Sequence, residues 1–170
     1  MKYNKIALIG MMGSGKTTVA QALSELTEVN WIDIDSLFET KYQLTICNFF
    51  QKYSESKFRQ YETDLLKEVI QADKFILSTG GGVILSSENR EVLFNKDIYT
   101  IYLEASPLNI YERIKNNNTR PLLKVDNPKK EIEKILSERI KYYKMANLTI
   151  NTDNKTIDEI IKAIQWTLSK

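Results

Sequence analysis

Histidine is absent from the 170-residue chain, and cysteine occurs once, at Cys47. A lone cysteine excludes an intrachain disulfide and suits a reducing compartment. With no imidazole and a single thiol, the sequence also argues against a structural zinc site. Long hydrophobic runs are missing as well. The apolar stretch Ile6–Ile9 is short and gives way at once to Gly10, so no secretory leader is expected. Nothing approaches the ~20 apolar residues that a membrane-crossing helix requires. Nor is there an excess of charge of one sign: 24 Lys and Arg stand against 22 Asp and Glu, a net charge of +2. That balance gives no electrostatic case for a nucleic acid or a membrane surface as partner. The expectation is a cytoplasmic globular monomer acting on a small molecule.

What is present is an alternation of short apolar runs with longer stretches of helical period, the pattern of an α/β protein with a parallel sheet. The length suits one domain, residues 1–170. Strands are expected at Ile6–Ile9, Val29–Asp33, Phe75–Ser78, Ile98–Leu103 and Leu148–Asn151. A helix starting near Lys16 should bury Val19, Leu23 and Leu26. Thr156 and Glu159 form a capping box ahead of the stripe Ile157, Ile160, Ile161, Ile164 and Leu168. The long segment 36–73 reads as two or three helices inserted between strands, a substrate subdomain. Residues 116–128, polar and bounded by prolines, read as a mobile lid.

The strongest motif is Gly10-Met-Met-Gly-Ser-Gly-Lys16-Thr17, which follows a strand and opens a helix. Glycines let backbone N–H groups converge on phosphate oxygens, and the helix start adds unpaired donors. Lys16 can neutralise phosphoryl charge, and the Thr17 hydroxyl suits Mg²⁺. No guanine-reading sequence of the N-K-x-D type accompanies it. Trp31-Ile-Asp33-Ile-Asp35 then places two carboxylates at a strand end, alternating with period two, where ligands of open α/β sheets gather. They could instead only cap the next helix.

Two inward-tending arginines, with Asp35 as a hydroxyl binder, point to a substrate carrying a carboxylate and hydroxyls. In the helix Ser56–Ile70, Glu62 falls among the apolar positions Phe58, Leu65, Leu66 and Val69, with Arg59 one turn before it. A surface ion pair is the alternative to an arginine held in a pocket. In the helix Lys129–Met145, Arg139 lies on the stripe Ile132, Leu136 and Tyr143, where it either snorkels or binds an anion. Finally, Ser78-Thr-Gly-Gly-Gly82 ends the third strand; a plain turn could use one or two glycines, but three cost roughly 1 kcal/mol each against alanine, which favours a backbone that a ligand touches. Arg113 and Arg120 bracket the start of the polar segment, where a lid arginine could reach transferring oxygens.

Taken in order, GMMGSGKT at 10–17, WIDID, FRQYE at 58–62, STGGG at 78–82, RPLL at 120–123 and ERIKYY around Arg139 resemble the shikimate kinase family along essentially the whole chain. The resemblance implies a P-loop NTPase fold similar to the nucleoside monophosphate kinases. Such a fold has a five-stranded parallel sheet flanked by helices, a helical substrate-binding insertion and a lid. It implies transfer of the γ-phosphoryl of ATP, with Mg²⁺, to the 3-hydroxyl of shikimate. By the same resemblance Gly10, Met12, Gly13, Ser14, Gly15, Lys16, Thr17 and Thr18 bind the nucleotide together with Arg113, Arg120, Thr152 and Asp153. Thr17 and Asp33 serve the metal. Asp35, Arg59, Gly80, Gly81, Gly82 and Arg139 hold the substrate, and Lys16, Asp35 and Arg120 form the catalytic set. Two positions depart from the family: Asn48 where Glu is common, and Ser54 where glycine is frequent. A gluconate kinase or another small-molecule kinase, and a nucleotide sensor without turnover, are the competing readings.

Overall fold

The computed structural model describes residues 3–115, 125 and 127–169. Its five strands are β1 (Lys5–Ile9), β2 (Trp31–Asp33), β3 (Phe75–Ser78), β4 (Tyr99–Glu104) and β5 (Leu148–Asn151). All pair in parallel, in the order β2-β3-β1-β4-β5. The central strands read as continuous apolar runs because helices cover both faces of a parallel sheet. Alternate residues sort to the two faces. Ile6 and Leu8 join Val19, Leu23, Ile160 and Ile164, from α1 (Lys16–Thr27) and α8 (Ile157–Leu168), while Ala7 and Ile9 join the opposite core.

That second core receives α2 (Ile34–Tyr42), α3 (Ile46–Lys52), α4 (Glu55–Val69), α5 (Ser87–Leu93) and α7 (Pro128–Tyr143). Here Phe38 touches Phe49 and Phe58 at ring distances of 5.1 and 5.0 Å, locking α2, α3 and α4 into one aromatic cluster. Helix α6 (Pro107–Ile114) follows β4, capped by Ser106 with Pro107 in the first turn. Ser54 caps α4 by accepting from the Lys57 amide, and Asn48 stands in the first turn of α3 under its cap, Thr45. Both departures thus sit at helix starts that their local chemistry supports.

Some boundaries differ from expectation. Strand β2 has three residues rather than five, because Glu28 ends α1 in a left-handed conformation (φ 58°) and Val29–Asn30 complete the turn to the sheet edge. Leu26 is half exposed, so the buried stripe of α1 stops at Leu23. Strand β4 runs one residue later than Ile98–Leu103. The alternation through Asp35 breaks at Ile34, where α2 begins with Asp33 as its N-cap. The Thr156–Glu159 capping box is formed as expected. Residues 116–124 and 126, most of the expected lid and Arg120 with it, lie outside the described residues.

Candidate active site

The carboxyl ends of β1, β2 and β3 lie side by side, and the chain leaves β1 there through the glycine-rich loop. Gly15 caps α1 with φ 97°, a left-handed backbone that disfavours any side chain. The Lys16 ammonium curls over this loop and donates to the carbonyls of Gly10 and Met11, at 2.9 and 3.0 Å. Met12, Gly13, Gly15, Lys16, Thr17 and Thr18 line a cleft of about 410 Å³, with Asp33, Asp35, Thr79, Gly81 and Arg113 on its other walls.

Asp33 divides its carboxylate between two tasks. Oδ1 accepts from the amides of Asp35 and Ser36, both at 3.1 Å, and so caps α2. Oδ2 accepts from the Thr17 and Ser78 hydroxyls, each at 2.8 Å. The capping and metal-site readings of the sequence are therefore compatible. A hydroxyl, a carboxylate oxygen and a second hydroxyl form a hard oxygen set, which fits Mg²⁺, an ion that keeps most of its waters and takes one or two protein ligands. Ser78 was missed in the sequence although it stands in STGGG; a hydroxyl at a strand end beside a phosphate loop was the available signal.

A second cleft of about 460 Å³ opens alongside the first. Ile46, Phe50, Phe58 and Ile135 give it apolar walls, and Arg59, Arg139, Glu55, Glu62 and the three glycines bring the polar groups. The apolar walls escaped the sequence reading because their residues come from three separate helices. Met12, Asp35 and Gly81 line both clefts, so Asp35 stands where they join.

Arg59 is anchored from two sides. Its Nη1 donates to Glu62 at 2.8 Å and its Nη2 to Glu55 at 3.1 Å, while the buried Nε has no hydrogen-bond partner among the described residues. Glu62 is 1% exposed, which excludes a surface ion pair. Burial pushes the Glu62 carboxyl up from its ordinary value, opposed by the Arg59 charge. Burial would depress Arg59, but the Glu62 and Glu55 carboxylates outweigh it and hold the guanidinium charged. The glycine triplet has a steric cause here. A Cβ on Gly82 would sit 2.3 Å from Arg59 Nη2, and one on Gly80 would meet Glu62 and Asp35 oxygens at 2.7 and 2.9 Å. None of the three has positive φ, so turn geometry does not call for them; a side chain at Gly80 or Gly82 would instead displace the Glu62, Asp35 or Arg59 groups that face them. Arg139 Nη1 donates to the Gly81 carbonyl at 3.2 Å on the floor of this cleft.

On the far side of the phosphate loop, Arg113 donates to the Gly13 carbonyl at 3.3 Å, the Thr152 hydroxyl at 3.1 Å and the Thr152 carbonyl at 2.8 Å. It shares a cavity of about 220 Å³ with Ser14, Thr152 and Lys155, the last not anticipated. Ser14 is buried and its Oγ has no hydrogen-bond partner among the described residues. Asp153 lines none of these cavities; its carboxylate accepts from the Ser106 amide and fixes the start of α6. Gly10 lies beneath the loop as the acceptor for Lys16.

The family model described as Shikimate kinase matches residues 12–169. A shikimate kinase of Thermodesulfovibrio yellowstonii is 36% identical over 159 residues, covering 94% of this chain and 91% of that protein. A structure titled as shikimate kinase from Acinetobacter baumannii in complex with shikimate superposes with a TM-score of 0.92 at 36% identity, covering 98% of this chain and 94% of that one. A gluconokinase from Sinorhizobium meliloti shares the fold alone, with a TM-score of 0.58 at 12% identity. Sequence and architecture agree over nearly the full length, and the chain belongs to the shikimate kinase family.

Proposed function

We propose that the chain transfers the γ-phosphoryl of ATP to the 3-hydroxyl of shikimate at the junction of the two clefts. The observation that carries this reading is the place of Asp35, a carboxylate lining both the phosphate-loop cleft and the arginine-bearing cleft. In the proposed roles, the loop from Gly10 to Thr18 and Lys16 hold the phosphates, and Lys16 must exchange its two carbonyl acceptors for phosphate oxygens. Arg59 and Arg139 take the substrate carboxylate in bidentate pairs. The Gly80–Gly82 amides are available to the substrate, since no protein acceptor among the described residues takes them. Asp35 holds the acceptor hydroxyl in line with the γ-phosphorus, orienting it or accepting its proton.

Bound through Thr17 and Asp33, Mg²⁺ would neutralise phosphoryl charge and orient the phosphates. Arg120 is proposed to reach the same oxygens from a lid at 116–128, closing water out, with helices α2 to α4 as the substrate subdomain. Arg113, Thr152 and Lys155 bound the nucleotide's other end.

Apolar walls from Ile46, Phe50, Phe58 and Ile135 suit the faces of a carbocyclic ring better than an open-chain polyol, which favours shikimate over gluconate. Among the described residues no helix is long and apolar enough to cross a membrane. The balanced charge gives no support to a nucleic-acid partner, and the single cysteine suits the cytoplasm. A coupled assay for ADP, run with shikimate, gluconate and nucleoside monophosphates in turn, tests the reading. Turnover should depend on shikimate; ADP release indifferent to it contradicts the proposal.

A further inference from the structure

The Tyr143 hydroxyl lies behind the arginine-bearing cleft, bonded to Gly81 of its wall, and no role above uses it. It closes α7 with its side chain fully buried, and its ring lies flat against that of Tyr102 on β4, with centroids 5.0 Å apart and planes 12° from parallel. Its hydroxyl donates to the Gly81 carbonyl at 2.5 Å. The same carbonyl accepts from Arg139 at 3.2 Å, so two donors fill its two lone pairs. On the opposite side Gly81 abuts the phosphate loop, where an added Cβ would lie 3.1 Å from the Met12 amide. Gly81 is therefore a joint between the phosphate loop and helix α7, and both clefts share it.

We propose that Tyr143 is a positioning residue for the substrate: by holding the Gly81 carbonyl against the core, it sets where the Arg139 guanidinium stands in the acid cleft. This rests on the assignment of Arg139 to the substrate carboxylate. The geometry explains why a phenol is used at this point. The ring is clamped by Tyr102, and Tyr102 belongs to a strand hydrogen-bonded to the central β1, so the hydroxyl cannot drift. Burial pushes the Tyr143 phenol up to about 12, opposed by the Arg139 guanidinium standing directly beside its hydroxyl, so the phenol stays neutral and a donor to the carbonyl. With the hydroxyl gone, Arg139 is the carbonyl's one remaining donor among the described residues, so its 3.2 Å bond is free to shorten. The guanidinium is then drawn towards the backbone and away from a carboxylate.

Four variants test this: Tyr143→Phe, Arg139→Ala, the double variant, and Tyr102→Phe, which alters the same ring pair by a hydroxyl that has no hydrogen-bond partner among the described residues. Phe keeps the shape of the Tyr143 ring, so the fold should persist, with thermal unfolding as the check. Tyr143→Phe should raise the KM for shikimate roughly 3- to 10-fold, the scale of one hydrogen bond, with the KM for ATP unmoved. In the Arg139→Ala background the same change should have no further effect, because a residue acting through Arg139 has nothing left to act on. Tyr102→Phe should leave the shikimate KM at its wild-type value.

A wild-type shikimate KM in Tyr143→Phe overturns the proposal while leaving the Arg139 assignment intact. Additive losses in the double variant, or an equal loss in Tyr102→Phe, overturn it as well, since they mark general packing. If Arg139→Ala itself binds shikimate normally, the carboxylate assignment fails first and the positioning role falls with it.

Discussion

Asp35 lines both clefts, whereas its neighbour Asp33 is engaged through both oxygens in the cap and the hydroxyl pair. That difference separates their expected phenotypes. Asp35→Asn keeps the shape and removes the charge and proton acceptor, so kcat should fall by roughly 100- to 10,000-fold while ATP affinity barely changes. Parallel losses in kcat and ATP binding, measured by steady-state kinetics and titration calorimetry, would reduce Asp35 to a helix-start residue. Arg139 gives the matching test on the acid side. If it grips a carboxylate with its planar fork, Arg139→Lys should damage shikimate binding nearly as much as Arg139→Ala, by about 2–5 kcal/mol. ATP affinity, read in the same calorimeter, should stay level. An Arg139→Lys variant with wild-type shikimate affinity would shift the carboxylate site to Arg59 alone.

At the scale of elements, α4 carries a carboxylate whose burial works against it. Glu62 is raised in the native state above its ordinary 4.5, so the folded protein binds its proton more tightly than the unfolded chain does. Its contribution to stability is therefore fully present below about 4.5 and is lost as pH rises through the native value. Glu62→Gln should flatten that part of the profile, so the variant's melting temperature falls less than that of the wild type as pH is raised across this window. Identical slopes in both proteins would mean that Glu62 titrates normally. The cost is retained where the carboxylate fixes Arg59, so the same variant should bind shikimate more weakly.

Glu62 itself was legible, because a carboxylate among Phe58, Leu65 and Leu66 breaks the helical stripe. The phosphate loop and the capping box of α8 were legible for the same kind of reason, being local spacing with a local cause. The Asp33–Asp35 pair was legible as two carboxylates at a strand end, and both line one cleft, but it is the cap of α2 at Ile34 rather than strand alternation that sets Asp35 there. The glycine triplet showed that something approaches the backbone, but not that it is the protein's own Arg59 and Glu62. The Tyr143–Gly81 bond joins residues 62 apart and exists only once α7 docks on the sheet, so no window of sequence contains it.

For the whole molecule, the strand order decides why these pieces meet. Placing β1 between β3 and β4 brings the phosphate loop beside the ends of β2 and β3, which deliver Asp33, Ser78 and the glycines. The helices between β2 and β3 then have one open side on which to build a second cleft, and they furnish it with Arg59 and apolar walls. Two adjoining sites with one shared carboxylate amount to a device for joining a phosphoryl donor to a hydroxy acid. The most direct measurement is the identity of the product. Incubation with ATP, Mg²⁺ and shikimate, followed by ³¹P–¹H correlation spectroscopy, should show one phosphorylated product, its phosphorus coupled to the proton on carbon 3 of the ring, in an amount equal to the ADP released. Phosphorus on another hydroxyl, or ADP released with no phosphorylated acid, would contradict the account.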